Sequence, residues 1–141
     1  MIKGVHHIAI GVADIEAGLA FYRDALGFEV DWRSDVSADN EKAGAAVGIP
    51  SFEAKMAMLK GPNICLELWQ YHKPKPLDMR SDPSDLGYPH IALLVEDIDA
   101  EYDRLATAGM TFVGPPVDLG AQKAIYGRDP FGNIIELLEE F

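Results

Sequence analysis

The chain has 141 residues, 48% of them hydrophobic, which is enough for one domain with a core, whereas either half alone would be marginal. Against 12 basic residues stand 23 acidic ones, so the formal net charge is −11 at pH 7. Because this charge would be repelled by nucleic-acid phosphates and anionic membrane surfaces, neither nucleic acid nor a membrane is expected as a partner.

The first half of the chain predicts the element order β-α-β-β-β. Residues 4–12 fit a buried strand. A helix with Asp14 as its N-cap follows and ends at Gly27, which is well placed for a left-handed cap. The polar segment 34–44 is expected to be loop. The other strands of this half are expected at 28–33, 52–59 and 63–71.

Residues 72–86, rich in proline and charge, are predicted to be a linker. The second half then repeats the order of the first, with a helix from Asp97 to about residue 108 and Gly109 as its end. A tight turn at 129–133 is expected to join the last two strands. The strands of this half are predicted at 88–95, 110–114, 122–128 and 133–140.

The cysteine count and the first residues indicate the cellular compartment. Cys65 is the only cysteine, which excludes a disulfide framework within the chain and suits a reducing environment. The opening residues, MIKGVHHIAI, lack the apolar run and cleavage site of a secretion signal. We therefore expect a cytoplasmic protein.

The two halves repeat a histidine motif and a glutamate motif. HHIAIGVADI at 6–15 returns as PHIALLVEDI at 89–98, and ICLELWQY at 64–71 returns as NIIELLEE at 133–140. In both copies a small residue stands two positions after the histidine, on the same face of the strand, which leaves room beside the imidazole. Four potential metal ligands thus form one related set: His7, Glu67, His90 and Glu136.

A glutamate within an apolar strand is costly to bury unless it is paired, hydrogen-bonded or bound to a metal. One such strand histidine or glutamate alone is more often an ordinary core or edge residue, but two in-phase copies favour a shared cause. Imidazole and carboxylate ligands suit one divalent ion per chain, namely Ni, Co, Mn, Zn, Fe or Mg. His6, on the opposite face, and His72, in the predicted linker, are not expected to take part.

These motifs resemble the vicinal oxygen chelate superfamily, which includes glyoxalase I, methylmalonyl-CoA epimerase, extradiol dioxygenases and fosfomycin-resistance transferases. The likeness covers nearly the whole chain and places a ligand in each quoted motif. It implies an α+β fold in which two tandem βαβββ modules, about 1–71 and 87–141, form an open, curled mixed sheet around a metal site. The whole chain, 1–141, would be a single such domain, and a homodimer is implied.

The resemblance also implies the chemistry. In this superfamily the metal typically holds two neighbouring oxygens of a small-molecule substrate and stabilises an enolate while a carboxylate moves a proton. We expect a metal-dependent lyase or isomerase acting on a small α-oxygenated carbonyl compound or thioester. Glu136 is the expected base and Glu67 the alternate. Three further residues are candidates for substrate contact: Trp69, Tyr126 and Arg128.

Two alternatives use the same fold. A ring-cleaving dioxygenase or a fosfomycin-type thiol transferase would need three ligands, and a drug-binding protein would need none. Within the lyase hypothesis, bacterial glyoxalases carry a glutathione-binding arginine where this chain has Gly11, and an asparagine where it has Tyr71. A glutathione adduct is therefore not the expected substrate.

Overall fold

A computed structural model describes residues 1–80 and 82–141 of the chain. The chain divides into two compact units, Met1–Asp78 and Met79–Phe141, and the boundary falls inside the predicted linker 72–86. Ser81, which belongs to that predicted linker, lies outside the described residues.

The first unit contains an open four-stranded sheet with the strand order β1-β4-β3-β2. Strands β1 and β4 are parallel, whereas the β2/β3 and β3/β4 pairs are antiparallel. Helix α1 continues directly into a π-helical segment. The bounds are β1 (His7–Gly11), α1 (Ile15–Leu19), the π-helix (Ala20–Ala25), β2 (Glu29–Val36), α2 (Glu41–Val47), β3 (Glu53–Lys60) and β4 (Cys65–Lys73).

The ends of α1 and its π-helical continuation follow the sequence prediction. The Asp14 side chain accepts a hydrogen bond from the Ala17 backbone nitrogen at 2.8 Å, as an N-cap does. Gly27 has φ of 78°, a left-handed conformation that glycine adopts without steric cost. Ile15 and Tyr22 are fully buried on the inner face of this segment.

The segment 34–44 was expected to be loop, and this prediction is wrong at both ends. Strand β2 extends to Val36, and α2 begins at Glu41. The Asn40 side chain caps α2 by accepting from the Ala43 backbone nitrogen at 3.0 Å, and Gly48 ends it with φ of 73°. Of the residues in α2 only Gly44 is buried, so the helix has no apolar periodicity to reveal it.

Two further local predictions need correction. Residues 4–12 were expected to form a buried strand, but in β1 only Ile10 is buried. Strand β1 lies at the edge of the described four-stranded sheet and pairs there with β4, so its side chains have fewer contacts within the sheet. His72, placed in the linker by its composition, is an exposed residue of β4.

The second unit contains a five-stranded sheet in which β5-β9-β8-β6 form a continuous path and β7 pairs with β8. As in the first unit, the edge strand that carries a histidine is parallel to the strand that carries a glutamate. The short strand β7 was absent from the sequence prediction. The bounds are β5 (His90–Leu94), α3 (Ile98–Thr107), β6 (Thr111–Phe112), β7 (Val117–Asp118), β8 (Gln122–Arg128) and β9 (Ile134–Glu140).

The predicted α+β class is confirmed, with one open mixed sheet in each unit. Helix α3 also begins and ends as predicted, because the Asp97 side chain accepts from the Ala100 backbone nitrogen at 3.0 Å and Gly109 has φ of 104°. Within residues 1–80 and 82–141, no helix has the length and hydrophobicity needed to cross a membrane.

The close packing around Gly127 in the second unit predicts that a larger side chain there lowers the stability of the fold. A Cβ added at Gly127 would lie 2.7 Å from Phe112 Cδ1 and 2.8 Å from Met110 Cε, whereas one at Gly114 would meet nothing within 4 Å. We expect Gly127→Ala to lower the free energy of unfolding by about 1–3 kcal/mol, as overpacking does. Gly114→Ala is the matched control and should change it by less than about 0.5 kcal/mol. Urea denaturation measures both, and equal stabilities would contradict the packing described.

Candidate functional site

The first unit brings His7 and Glu67 together, and we call these two residues the first pair. In the parallel ladder between β1 and β4, His7 lies opposite Cys65 and Ala9 lies opposite Glu67. The imidazole therefore reaches diagonally across Ala9, whose small side chain leaves room. His7 Nε2 lies 3.4 Å from Glu67 Oε2.

The second unit repeats this arrangement with His90 and Glu136, which we call the second pair. Strands β5 and β9 pair in the same register, with His90 opposite Ile134 and Ala92 opposite Glu136. His90 Nε2 lies 3.2 Å from Glu136 Oε2. The repeat seen in the sequence thus has the same strand direction, the same register and the same facing atoms in both units.

The separation of the facing atoms suits two ligands of one metal ion. Nitrogen and oxygen ligands bind divalent ions such as zinc at about 2.0–2.2 Å, so two neighbouring ligand atoms lie roughly 2.8–3.6 Å apart, from octahedral to tetrahedral angles. The separations of 3.4 Å and 3.2 Å fall within this range. A strong hydrogen bond to a carboxylate would be shorter, at about 2.7–2.9 Å. The mixed donor set and its spacing therefore fit a divalent cation.

Burial differs between the two residue types of each pair. The Glu67 and Glu136 side chains are 11% and 16% exposed, whereas His7 and His90 are 36% and 28% exposed. The carboxylates are thus mostly withdrawn from water and face a polar partner, as the cost of burying a charge requires. The partly open imidazoles leave each pair accessible from outside.

Aromatic side chains surround Glu67. The Trp69 indole Nε1 donates a hydrogen bond to Glu67 Oε2 at 2.6 Å. The Tyr71 ring stacks on Trp69 with the centroids 5.3 Å apart and the planes 16° apart. Burial, and to a smaller extent the charge of Glu67, raise the pKa of the Tyr71 phenol. Trp69 was predicted to contact substrate, and the structure places its polar atom on a predicted metal ligand.

Tyr126 is the aromatic neighbour of the second pair. It lies opposite Glu136 in the β8/β9 ladder, and its hydroxyl lies 3.4 Å from His90 Nε2. Burial, and then the charge of Glu136, raise the pKa of Tyr126, so the phenol keeps its proton at neutral pH. His90 Nδ1 is buried without a hydrogen-bond partner among the described residues. Tyr126, a predicted substrate contact, therefore lies beside the second pair.

Arg128 has a different environment. Its Nη1 donates to the Gly132 carbonyl at 2.7 Å, and its Nη2 lies 3.8 Å from Asp82 Oδ1. The same turn is held by the buried Asp129, whose Oδ1 accepts from the Phe131 backbone nitrogen at 2.9 Å. The guanidinium predicted to bind substrate is thus engaged with the turn before β9.

His6 contacts a predicted ligand, although sequence reasoning gave it no role. Its Nδ1 lies 2.8 Å from His7 Nδ1, and the two rings are close to perpendicular. The alternation rule placed the two side chains on opposite faces, but His6 precedes the first residue of β1, where that rule no longer holds. The adjacency of two histidines was the available signal.

The structure therefore brings the four predicted ligands together as two pairs. In the part of the chain that the structure describes, no group of three or more His, Cys, Asp or Glu side chains is gathered closely enough to hold one metal ion. The complete four-residue ligand set stays a prediction.

Comparison with known proteins gives the family. A model of the glyoxalase/bleomycin resistance protein/dioxygenase superfamily matches residues 4–137. The chain belongs to this superfamily. An ethylmalonyl-CoA/methylmalonyl-CoA epimerase of Cereibacter sphaeroides is 33% identical over 145 residues, covering 97% of this chain and 98% of that protein. A 2-epi-5-epi-valiolone epimerase of an Actinomyces species is 28% identical over 142 residues, covering 95% and 78%.

Solved structures of the superfamily share the fold. A glyoxalase family protein from Bacillus cereus matches with a TM-score of 0.91 at 27% identity, covering 100% of this chain and 96% of that one. The fosfomycin resistance protein FosX from Listeria monocytogenes, determined with Mn(II) and sulfate, matches with a TM-score of 0.70 at 19% identity, covering 100% and 95%. The superfamily suggested by the sequence motifs is thereby confirmed.

The hydrogen bond from Arg128 to the turn before β9 predicts that replacing this residue lowers the stability of the fold. Arg128→Ala should lower the free energy of unfolding by about 1–2 kcal/mol, because the Gly132 carbonyl loses a charged donor in a partly buried turn. Arg128→Lys should restore little of it, since an ammonium lacks the planar fork of the guanidinium. Urea denaturation of the two variants is the measurement. Wild-type stability in both would mean that the turn does not depend on the guanidinium.

Proposed function

We propose that this protein is a divalent-metal-dependent isomerase or lyase that acts on a small α-oxygenated carbonyl compound or thioester. The observation that carries the proposal is the duplicated His–Glu pair, with the same register and facing atoms in both units. Two epimerases among the relatives, matching nearly the whole chain, support isomerisation by proton transfer.

The proposal includes one divalent ion per chain, held by His7, Glu67, His90 and Glu136. The nitrogen and oxygen donors and their spacing support this ligand set, and FosX, crystallised with Mn(II), is a metal-binding example of the fold. When bound, such an ion supplies Lewis-acid stabilisation of negative charge on a substrate oxygen.

The carboxylates would move the proton. A carbon next to a carbonyl group is acidic enough for a positioned carboxylate to deprotonate it when the resulting charge is stabilised. Glu136, mostly buried beside His90, would take this proton, and Glu67 could deliver or remove one from the other face of the carbon. Epimerisation requires both faces, so two carboxylates suit it.

Tyr126 is the substrate contact that the structure favours among those predicted. Its pKa is raised, so it presents a hydroxyl donor beside His90 that can meet a substrate oxygen. Trp69 would contribute aromatic surface, while Arg128 would act through the turn before β9. The proposal also includes a homodimer and a cytoplasmic location, supported by the superfamily resemblance and the composition.

The metal part of the proposal predicts the metal content of the purified protein. We expect close to one divalent ion per chain, measured by plasma emission spectrometry after dialysis. Glu67→Gln should retain more metal than Glu67→Ala, because the amide oxygen can still coordinate. The double variant His7→Ala, His90→Ala should lose the metal while remaining folded. Unchanged metal content in that variant would end the metal hypothesis.

The assignment of Glu136 predicts a loss of proton exchange without a loss of folding. Glu136→Gln keeps the shape of the side chain but removes the base, so exchange at the carbon next to the substrate carbonyl should fall by about 10²–10⁴-fold. Deuterium wash-in to 2-hydroxy ketones and acyl-CoA thioesters measures this, with metal occupancy matched between the proteins.

Glu67→Gln is the comparison variant in the same assay. Equal exchange by wild type and Glu136→Gln would transfer the base role to Glu67. Absence of exchange with every candidate substrate would count against the isomerase and favour a dioxygenase, a thiol transferase or a binding protein.

A further inference from the structure

The two pairs share a register but not their aromatic neighbours. Alternation along β4 puts Glu67, Trp69 and Tyr71 on one face. The residue two positions after Glu136 is Leu138, a half-buried side chain with no polar atom. An indole N–H therefore stands beside the carboxylate of the first pair, and an aliphatic group stands at the equivalent place in the second.

The hydrogen bond from Trp69 to Glu67 is short. Its 2.6 Å between Nε1 and Oε2 compares with about 2.9–3.0 Å for an ordinary N–H···O bond. Donation to a carboxylate shortens and strengthens such bonds. The acceptor, Oε2, is also the atom that faces His7 Nε2, so the indole fixes the oxygen that takes part in the first pair.

The indole is itself held in place. The Tyr71 ring stacks on it, and Phe52, which is 1% exposed, lies 6.1 Å from it between ring centroids. Phe52 and Tyr71 also contact each other, with 5.6 Å between centroids. Because three rings pack together, the indole N–H cannot swing away from Glu67 without separating them.

In the second unit the aromatic donor points elsewhere. The Tyr126 hydroxyl lies 3.4 Å from His90 Nε2, which is the histidine of that pair and not its carboxylate. Glu136 thus has no counterpart of the Trp69 indole two residues along its strand. The two carboxylates are equivalent in the sequence repeat and in strand register. They differ in their neighbours, because an indole N–H holds Glu67 and an aliphatic side chain, Leu138, stands at the equivalent place beside Glu136.

We propose that Trp69 is a positioning residue that holds the Glu67 carboxylate in one orientation toward His7, a restraint that Glu136 lacks. This inference deepens the proposed function and rests on it for the role of Glu67 as a metal ligand. The hydrogen bond itself can be examined in the metal-free protein. A failure of the metal hypothesis is therefore separable from a failure of this one.

The direct test is the indole N–H signal in nitrogen-15 NMR spectra of the metal-free protein. The chain has two tryptophans, and Trp32, which is 42% exposed in β2, is an internal control. Trp32→Phe assigns the remaining signal to Trp69. We expect the Trp69 N–H to resonate downfield of Trp32 and to exchange with solvent about tenfold or more slowly. In Glu67→Ala it should shift toward the Trp32 position.

The second test is divalent-cation affinity, measured by calorimetry with Mn(II) and Zn(II). Trp69→Phe keeps an aromatic ring but removes the donor, and we expect its affinity to fall by about 10–100-fold, as removal of a group that orients a ligand does. Trp32→Phe is the matched control and should bind as wild type. Thermal unfolding of both variants establishes that they are folded.

Four results are decisive. Rapid exchange of the Trp69 N–H, or an unchanged signal in Glu67→Ala, would overturn the proposal. Wild-type affinity in folded Trp69→Phe would overturn the positioning role. If wild type binds neither cation, the proposed function fails, while the indole signal, recorded without metal, still decides whether Trp69 holds Glu67.

Discussion

The central constraint on this protein is that a carboxylate inside an apolar strand must have a polar partner. Glu67 is flanked by the fully buried Leu66 and Leu68, and Glu136 by Ile135 and Leu137. Taking such a charge out of water costs several kcal/mol unless nearby groups offset it. The parallel edge strand in each unit supplies that partner, because its histidine reaches across a small residue to the carboxylate. The strand order places the histidine strand beside the glutamate strand, and the register brings the two side chains within contact distance.

Two copies of one scaffold have acquired different surroundings. The His–Glu geometry is common to both units, with 3.4 Å and 3.2 Å between facing atoms. In the first unit an indole donates to the carboxylate, and in the second a phenol lies beside the imidazole. A duplicated fold can thus keep the same His–Glu geometry while the two equivalent carboxylates acquire different neighbours.

Membership of the glyoxalase/bleomycin resistance protein/dioxygenase superfamily explains the fold but leaves the reaction to the side chains. The features that distinguish this chain lie next to the two pairs. The resemblance to bacterial glyoxalases implies that Gly11 and Tyr71 stand where those enzymes bind glutathione. Trp69 and Tyr126 contact the predicted ligands directly. Reaction specificity in this chain is therefore expected to depend on a few aromatic residues around a common core.

The sequence by itself determined the repeat, the α+β class, the caps at Asp14 and Asp97, and the four residues His7, Glu67, His90 and Glu136 as one related set, whereas their division into two pairs came from the structure. These follow from local patterns and from a repeat visible without structure. Tertiary structure decided what depends on contacts between distant segments. It showed the edge exposure of β1, the helix α2 without apolar periodicity, the indole bond to Glu67 and the engagement of Arg128 with its turn. Side-chain partners depend on rotamers and neighbouring strands, which alternation along one strand does not specify.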